Sequence, residues 1–124
     1  MHVNLSFPRT MNVVLHSRFM VLPLEGAEVP CGHVTMVSAM HLGRGLVVTD
    51  STGVRDYARH EDNALLVPPH DADALAAAVS RLSASPELAR RLGDAGQRFA
   101  RERCSEESVL SHLRSYFETV AHRP

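Results

Sequence analysis

Three short apolar runs limit what this chain can fold into more than any other feature: "RFMVL" closed by Pro23, "GLVVTD", and "NALLV" stopped by Pro68 and Pro69. Each is too short for a buried helix and is bounded by turn residues, the pattern of a strand covered on both faces. A segment of helical spacing separates the first two runs, and a turn with a short helix separates the second from the third. Strands divided by helices pair in parallel, because a parallel neighbour needs a crossover connection. The sequence therefore predicts strands near residues 19–23, 45–49 and 64–67, with a helix from about 33 to 42 crossing between the first two. The fold class is α/β: a partial Rossmann-like parallel sheet of about three strands covered by helices.

Helix boundaries follow from capping chemistry. Ser6 and Pro8 open a short helix through "RTMNVVLHS". In the crossover helix Val34, Val37, Met40 and, less cleanly, Met36 fall at helical spacing, and Gly43 suits the left-handed residue just past the end. Asp71 is a good N-cap for "ADALAAAVSRLSA", whose apolar face is Leu75, Ala78, Val79 and Leu82. Ser85-Pro86-Glu87 repeats the signal for a helix to about Glu102. Ser105 opens the last helix, with Glu106 and Glu107 at its positive end. The last three helices are expected to cover the sheet. Residues 1–18 read as an N-terminal segment ahead of a domain over 19–124.

The chain of 124 residues has room for one small domain. Its 13 basic and 14 acidic residues leave a net charge of −1, which argues against a nucleic-acid partner. The late arginines in "ELARRLGDAGQRFARER" are interleaved with Glu87, Asp94 and Glu102, as on a solvated helix face. Cys31 and Cys104 are far apart and form neither a zinc-type spacing nor a disulfide framework, so a reducing cytoplasm is the default location. No apolar run approaches membrane-span length, and "MHVNLSFPRTM" lacks the basic and apolar regions of a signal peptide. His33, His41 and Asp50 are not at ligand spacing on one element, so no metal is expected. "HED" at His60 to Asp62 reads as a solvated loop.

Open parallel sheets bind ligands beyond the carboxyl ends of their strands. Three loops leave those ends: "EGAEVPCGH", "DSTGV" and "PPHD", the last placing His70 and Asp71 on that side. The first carries a tight turn straight into a helix. The leading N–H groups of a helix have no partner inside it, so Gly32, His33, Val34 and Thr35 are candidates for holding an anion. An ordinary strand-to-helix turn would read the same way.

From about Phe19 to Phe117 the chain resembles the second half of the donor-binding domain of retaining GT-B glycosyltransferases, family four or glycosyl transferases group 1. The matching pieces are "VLPL", "SAMHLGRGLVVTDSTGVRDYARHEDNALLVPPHDADALAAAVSRL" and "SPELARRLGDAGQRFARERCSEES". They parallel the family's "EAMA-G-PVVA", "GG-E-V", "G-LV-PGD" and "DPE-R-RLG-A-R" units in order and spacing. The resemblance implies transfer of a sugar from a nucleotide-diphosphate sugar to an acceptor with retention, and no separate cofactor. It implies that Gly32, His33, Val34 and Thr35 hold the donor phosphates.

Departures from the pattern bear on the site. The family has a pair of glutamates, the second just before "AM" and bound to the ribose. That position is Ser38 here, and the first falls at Pro30 in an ungapped count. Ser38 is then the ribose contact, a single hydroxyl in place of a bidentate carboxylate. Glu28 or Glu25, slightly upstream, are the candidates for the catalytic-side contact to the sugar. The family's basic pair, which neutralises the leaving diphosphate, belongs upstream, and neither Arg18 nor Arg44 is placed to replace it. The expectation is a donor-binding portion that is not active as this chain alone. The alternatives are a non-catalytic nucleotide-binding or protein-interaction module, or a purely structural domain. A bare sheet edge predicts self-association, or a companion chain carrying the N-terminal half.

Overall fold

Pro8, whose missing N–H is no loss in the first turn of a helix, opens α1 (Phe7–Leu15) behind Ser6 in a computed structural model that describes residues 4–25 and 32–122. The elements that follow are β1 (Phe19–Leu22), α2 (His33–His41), β2 (Gly45–Thr49), a single 3₁₀ turn (Val54–Asp56), β3 (Leu65–Val67), α3 (Ala72–Ala84), α4 (Pro86–Arg103) and α5 (Glu106–Ala121). The three strands lie in the order β1-β2-β3 and all pairs are parallel. Strand positions, connections and fold class thus agree with the sequence pattern.

Central β2 is buried throughout, which is why its sequence is an unbroken apolar run with a single hydroxyl. Its side chains alternate between the two faces. Leu46 and Val48 join Met36 and Met40 of α2 and Ala100 of α4 in one core. Val47 joins Leu65, Val67, Ala78, Leu82 and Leu92 in the other. Helix α4 therefore serves both faces, and it does so by close approach. A Cβ on Gly93 would lie 2.3 Å from the Gly43 carbonyl oxygen, and one on Gly45 would lie 2.8 Å from that of Ala89.

The predicted caps form. Asp71 accepts from the Ala74 N–H at 2.8 Å, Ser85 from Leu88 at 3.2 Å and Ser105 from Ser108 at 3.1 Å. At the end of α2, Gly43 takes φ +69°. There its N–H donates to Met40 and that of Arg44 to Ala39, a Schellman closure.

Two helices differ from the sequence reading. In α2 the buried residues are Met36, Ala39 and Met40, while Val34 is 70% exposed. Helix α4 packs on α2 and selects the Met36–Met40 ridge, which short apolar spacing could not distinguish from its neighbour. Helix α5 buries no residue and does not cover the sheet. The two faces of a three-stranded sheet are already filled by α2, α3 and α4.

Candidate functional site

The three strands end side by side, and their loops enclose a crevice of about 420 Å³. Pro23 and Leu24 line it from β1, Thr49 from β2, and Pro68, His70 and Asp71 from β3. The walls are tied to one another. The Leu24 N–H donates to Thr49 Oγ1 at 2.9 Å, which fixes the loop leaving β1, and the Asp50 N–H donates to the Val67 carbonyl at 2.7 Å.

Beside the crevice Arg55 forms a fork on Asp50, with Nε and Nη2 donating to the two carboxylate oxygens at 2.8 and 2.9 Å. This hydrogen bonding holds the Asp50 carboxyl below the usual carboxylate range, against partial burial, and the charges of Arg55 and His60 help. Arg55 is thereby neutralised. The "HED" loop is less free than its composition suggests: Glu61 pairs with Arg81, and His60 Nδ1 accepts from the Leu66 N–H at 2.9 Å.

At the entrance of α2, Gly32 is the N-cap with φ +75° and contributes no side-chain cap bond. The N–H groups of His33, Val34 and Thr35 therefore have no carbonyl to meet within the helix. His33 stacks edge-to-face on Tyr57 at 5.3 Å, which fixes the start of the helix against the segment after β2. Ser38 lies on the face opposite the buried Met36–Met40 ridge, and its hydroxyl donates to the Val34 carbonyl at 2.6 Å. Its proton is spent on the helix, so toward a ligand it offers lone pairs only.

The reason for Gly32 changes. A Cβ there would meet Leu24 Cδ2 at 3.0 Å and Leu22 Cδ2 at 3.2 Å, so the glycine is explained by its left-handed φ and by two leucines. Any substitution at Gly32 perturbs that packing as well as a ligand's approach. Glu25 is exposed just past β1, whereas Glu28 lies outside the described residues.

A feature that sequence reasoning missed is the backbone at His70, which takes φ +58°. The signal was present, since "PPHD" puts a histidine where the resembled strand-end pattern has glycine. A left-handed non-glycine residue stores about 1 kcal/mol or more. His70→Gly is expected to raise stability by about 0.5–1 kcal/mol, after the extra entropy of glycine in the unfolded chain is deducted. Thermal unfolding reads this as a rise in Tm. A fall would mean that the imidazole makes contacts that outweigh the backbone strain.

Among the described residues no group of three His, Cys, Asp or Glu is placed to hold a metal ion. Nor, among them, is any helix long and apolar enough to cross a membrane. The one described cysteine, Cys104, is a free thiol whose pKa burial raises, so it is no activated nucleophile.

A parallel α/β unit with a crevice at its strand ends, beside a helix N-terminus, has the architecture of nucleotide-binding half-domains. The chain belongs to the glycosyl transferases group 1 family, whose model matches residues 7–85. Among solved structures it is similar to a sucrose-phosphate synthase from Thermosynechococcus elongatus, with 31% identity and a TM-score of 0.69 over 83% of this chain. It also resembles Anabaena HepE in complex with UDP-glucose (TM-score 0.75, 17% identity) and with UDP (TM-score 0.78, 17% identity), each over 86% of this chain. The chain spans 26% of the length of the synthase and 29% of HepE. No curated protein sequence matches it.

Proposed function

We propose that this chain is the donor-binding portion of a retaining glycosyltransferase and holds a nucleotide-diphosphate sugar without transferring the sugar by itself. The observation that carries this reading is the crevice at the carboxyl ends of three parallel strands, whose Leu24 wall lies against Gly32, the N-cap of α2. HepE, which shares the fold, has been captured with UDP-glucose and UDP. In the proposed complex the N–H groups of His33, Val34 and Thr35 hold the diphosphate at the positive end of α2, and the Thr35 hydroxyl adds a donor. Gly32 sets the entry, Ser38 accepts from a ribose hydroxyl, and Glu25 or Glu28 contacts the sugar.

Transfer requires positive charge at the diphosphate as the anomeric C–O bond breaks. Among the described residues that line the crevice there is no lysine or arginine, and neighbouring Arg55 is engaged by Asp50. That supports binding without turnover, the missing cations coming from another polypeptide segment. A second reading, a protein-interaction module, is favoured by the exposed apolar residues of α5, through which we propose that the isolated chain self-associates.

Titration of isotope-labelled chain with UDP, UDP-glucose and a second nucleotide sugar tests the donor reading. The expected dissociation constant is about a millimolar or weaker, equivalent to roughly 4 kcal/mol. The amide shifts should centre on residues 33–35. Ser38→Glu is expected to tighten nucleotide binding about tenfold by restoring a carboxylate acceptor on the same helix face. Absence of binding by both proteins would mean that the donor site is dead, and would leave a protein-interaction module or a purely structural domain.

A further inference from the structure

At the other end of the sheet, before the strands begin, a second cleft of about 440 Å³ collects three arginines from two turns and a helix. Arg18 precedes β1, Arg44 precedes β2, and Arg90 projects from the first turns of α4. Among the described residues that line the cleft Asp94 is the one acidic side chain, so their summed charge is positive. None of the ion pairs among the described residues involves Arg18, Arg44 or Arg90. Arg44 Nη1 donates to the Ser17 carbonyl at 3.2 Å, while its buried Nε has no partner. A half-buried guanidinium with an orphaned donor and two cationic neighbours is unfavourable unless an anion offsets it.

The cluster is held by backbone packing rather than by chance side-chain reach. The Schellman turn at Gly43 presents Arg44, and the contact of Gly93 with Gly43 brings α4 with Arg90 against that turn. Planar guanidinium forks match the oxygens of a phosphate group bidentately.

We propose that this cleft binds a phosphate-bearing small molecule at a site distinct from the nucleotide crevice. The length of the central strand, about 3.3 Å per residue, puts roughly 15 Å between the two. Occupancy would brace the α2–β2 turn against α4, and so favour the folded sheet on which the crevice depends.

The test is an NMR titration of the full chain with inorganic phosphate, and separately with a sugar phosphomonoester, against chloride at matched ionic strength. The expected result is saturable binding with shifts at Arg18, Gly43, Arg44 and Arg90, including guanidinium Nε–H signals. Arg18→Ala and Arg90→Ala, both at exposed positions, should each weaken phosphate binding about tenfold, and Arg90→Lys should recover only part of the loss. UDP binding by these variants should match that of the wild type, which separates this site from the donor crevice. No saturation, shifts confined to residues 32–35, or wild-type phosphate affinity in both alanine variants would overturn the proposal.

Discussion

Gly93→Ala is expected to destabilise the chain by about 3 kcal/mol or more, although alanine is the better helix former by about 1 kcal/mol. The added methyl would sit 2.3 Å from the Gly43 carbonyl oxygen, 3.0 Å from its carbonyl carbon and 3.1 Å from the Gly45 nitrogen. All three are backbone atoms, so no rotamer change relieves the clash. Either α4 retreats or the turn into β2 deforms. Retreat is costly because α4 contributes Ala89 and Leu92 to one core and Ala100 to the other. Deformation breaks the Schellman bonds that close α2. Against a total stability of about 5–15 kcal/mol for a domain of this size, such a loss lowers Tm by more than about 10 °C. Gly96→Ala is the control on the same helix. Its methyl would meet the Met40 Cγ at 3.4 Å and the Asn63 carbonyl oxygen at 3.6 Å, which is ordinary contact, so it is expected to stay within about 1 kcal/mol of the wild type. Equal Tm values for the two variants would show that α4 does not press on the Gly43–Gly45 turn.

That contact marks where sequence reading ends. The strands were legible because β-branched and apolar runs between glycine and proline allow little else, and because Asp71, Ser85 and Ser105 are cap residues whatever surrounds them. These are local matters of one element's own chemistry. In "RRLGDAGQRF" the two glycines look alike, yet Gly93 meets backbone and Gly96 meets a flexible methionine. Which face of α2 is buried was decided by α4, far along the chain, so Val34 read as core and is on the surface. The site divides in the same way. The turn at Gly32 to Thr35 is a property of one strand-to-helix junction and could be named from sequence. The Thr49 bond to the Leu24 N–H, the Asp50–Arg55 fork and the converging Arg18, Arg44 and Arg90 depend on elements brought together by the fold. His70 stands between the two cases, because "PPHD" shows a histidine at the glycine of the resembled strand-end pattern while its left-handed backbone is set by the fold.

The isolated chain is expected to pair with a second copy through α5, and Leu113→Glu combined with Phe117→Glu is expected to return it to monomer. Along this helix of 16 residues Val109, Leu113, Tyr116 and Val120 recur at spacings of four, three and four, and Leu110 and Phe117 flank them. That alternation is the seam of a helix pair rather than the face of a helix lying on a sheet. All six side chains are between 42% and 63% exposed, so the seam has no partner within the described residues. In a solution of this chain alone, the surface available to cover it is the same seam on another molecule, an isologous contact. Burying six such side chains on each copy removes about 800–1,000 Å² in total, the low end for a specific interface, so the association should be micromolar and concentration-dependent rather than obligate. Two glutamates per helix would put four carboxylates into that contact, which only a lost dimer relieves. Ser111→Glu, on the opposite face of α5, should leave the association as it was. Sedimentation velocity over a wide concentration range reads all three proteins, with far-UV circular dichroism confirming that α5 stays helical. A wild type that remains monomeric at high concentration would sink the idea. So would a double variant that still dimerises, and that result would move the contact to the edge of β1, which has no strand neighbour among the described residues.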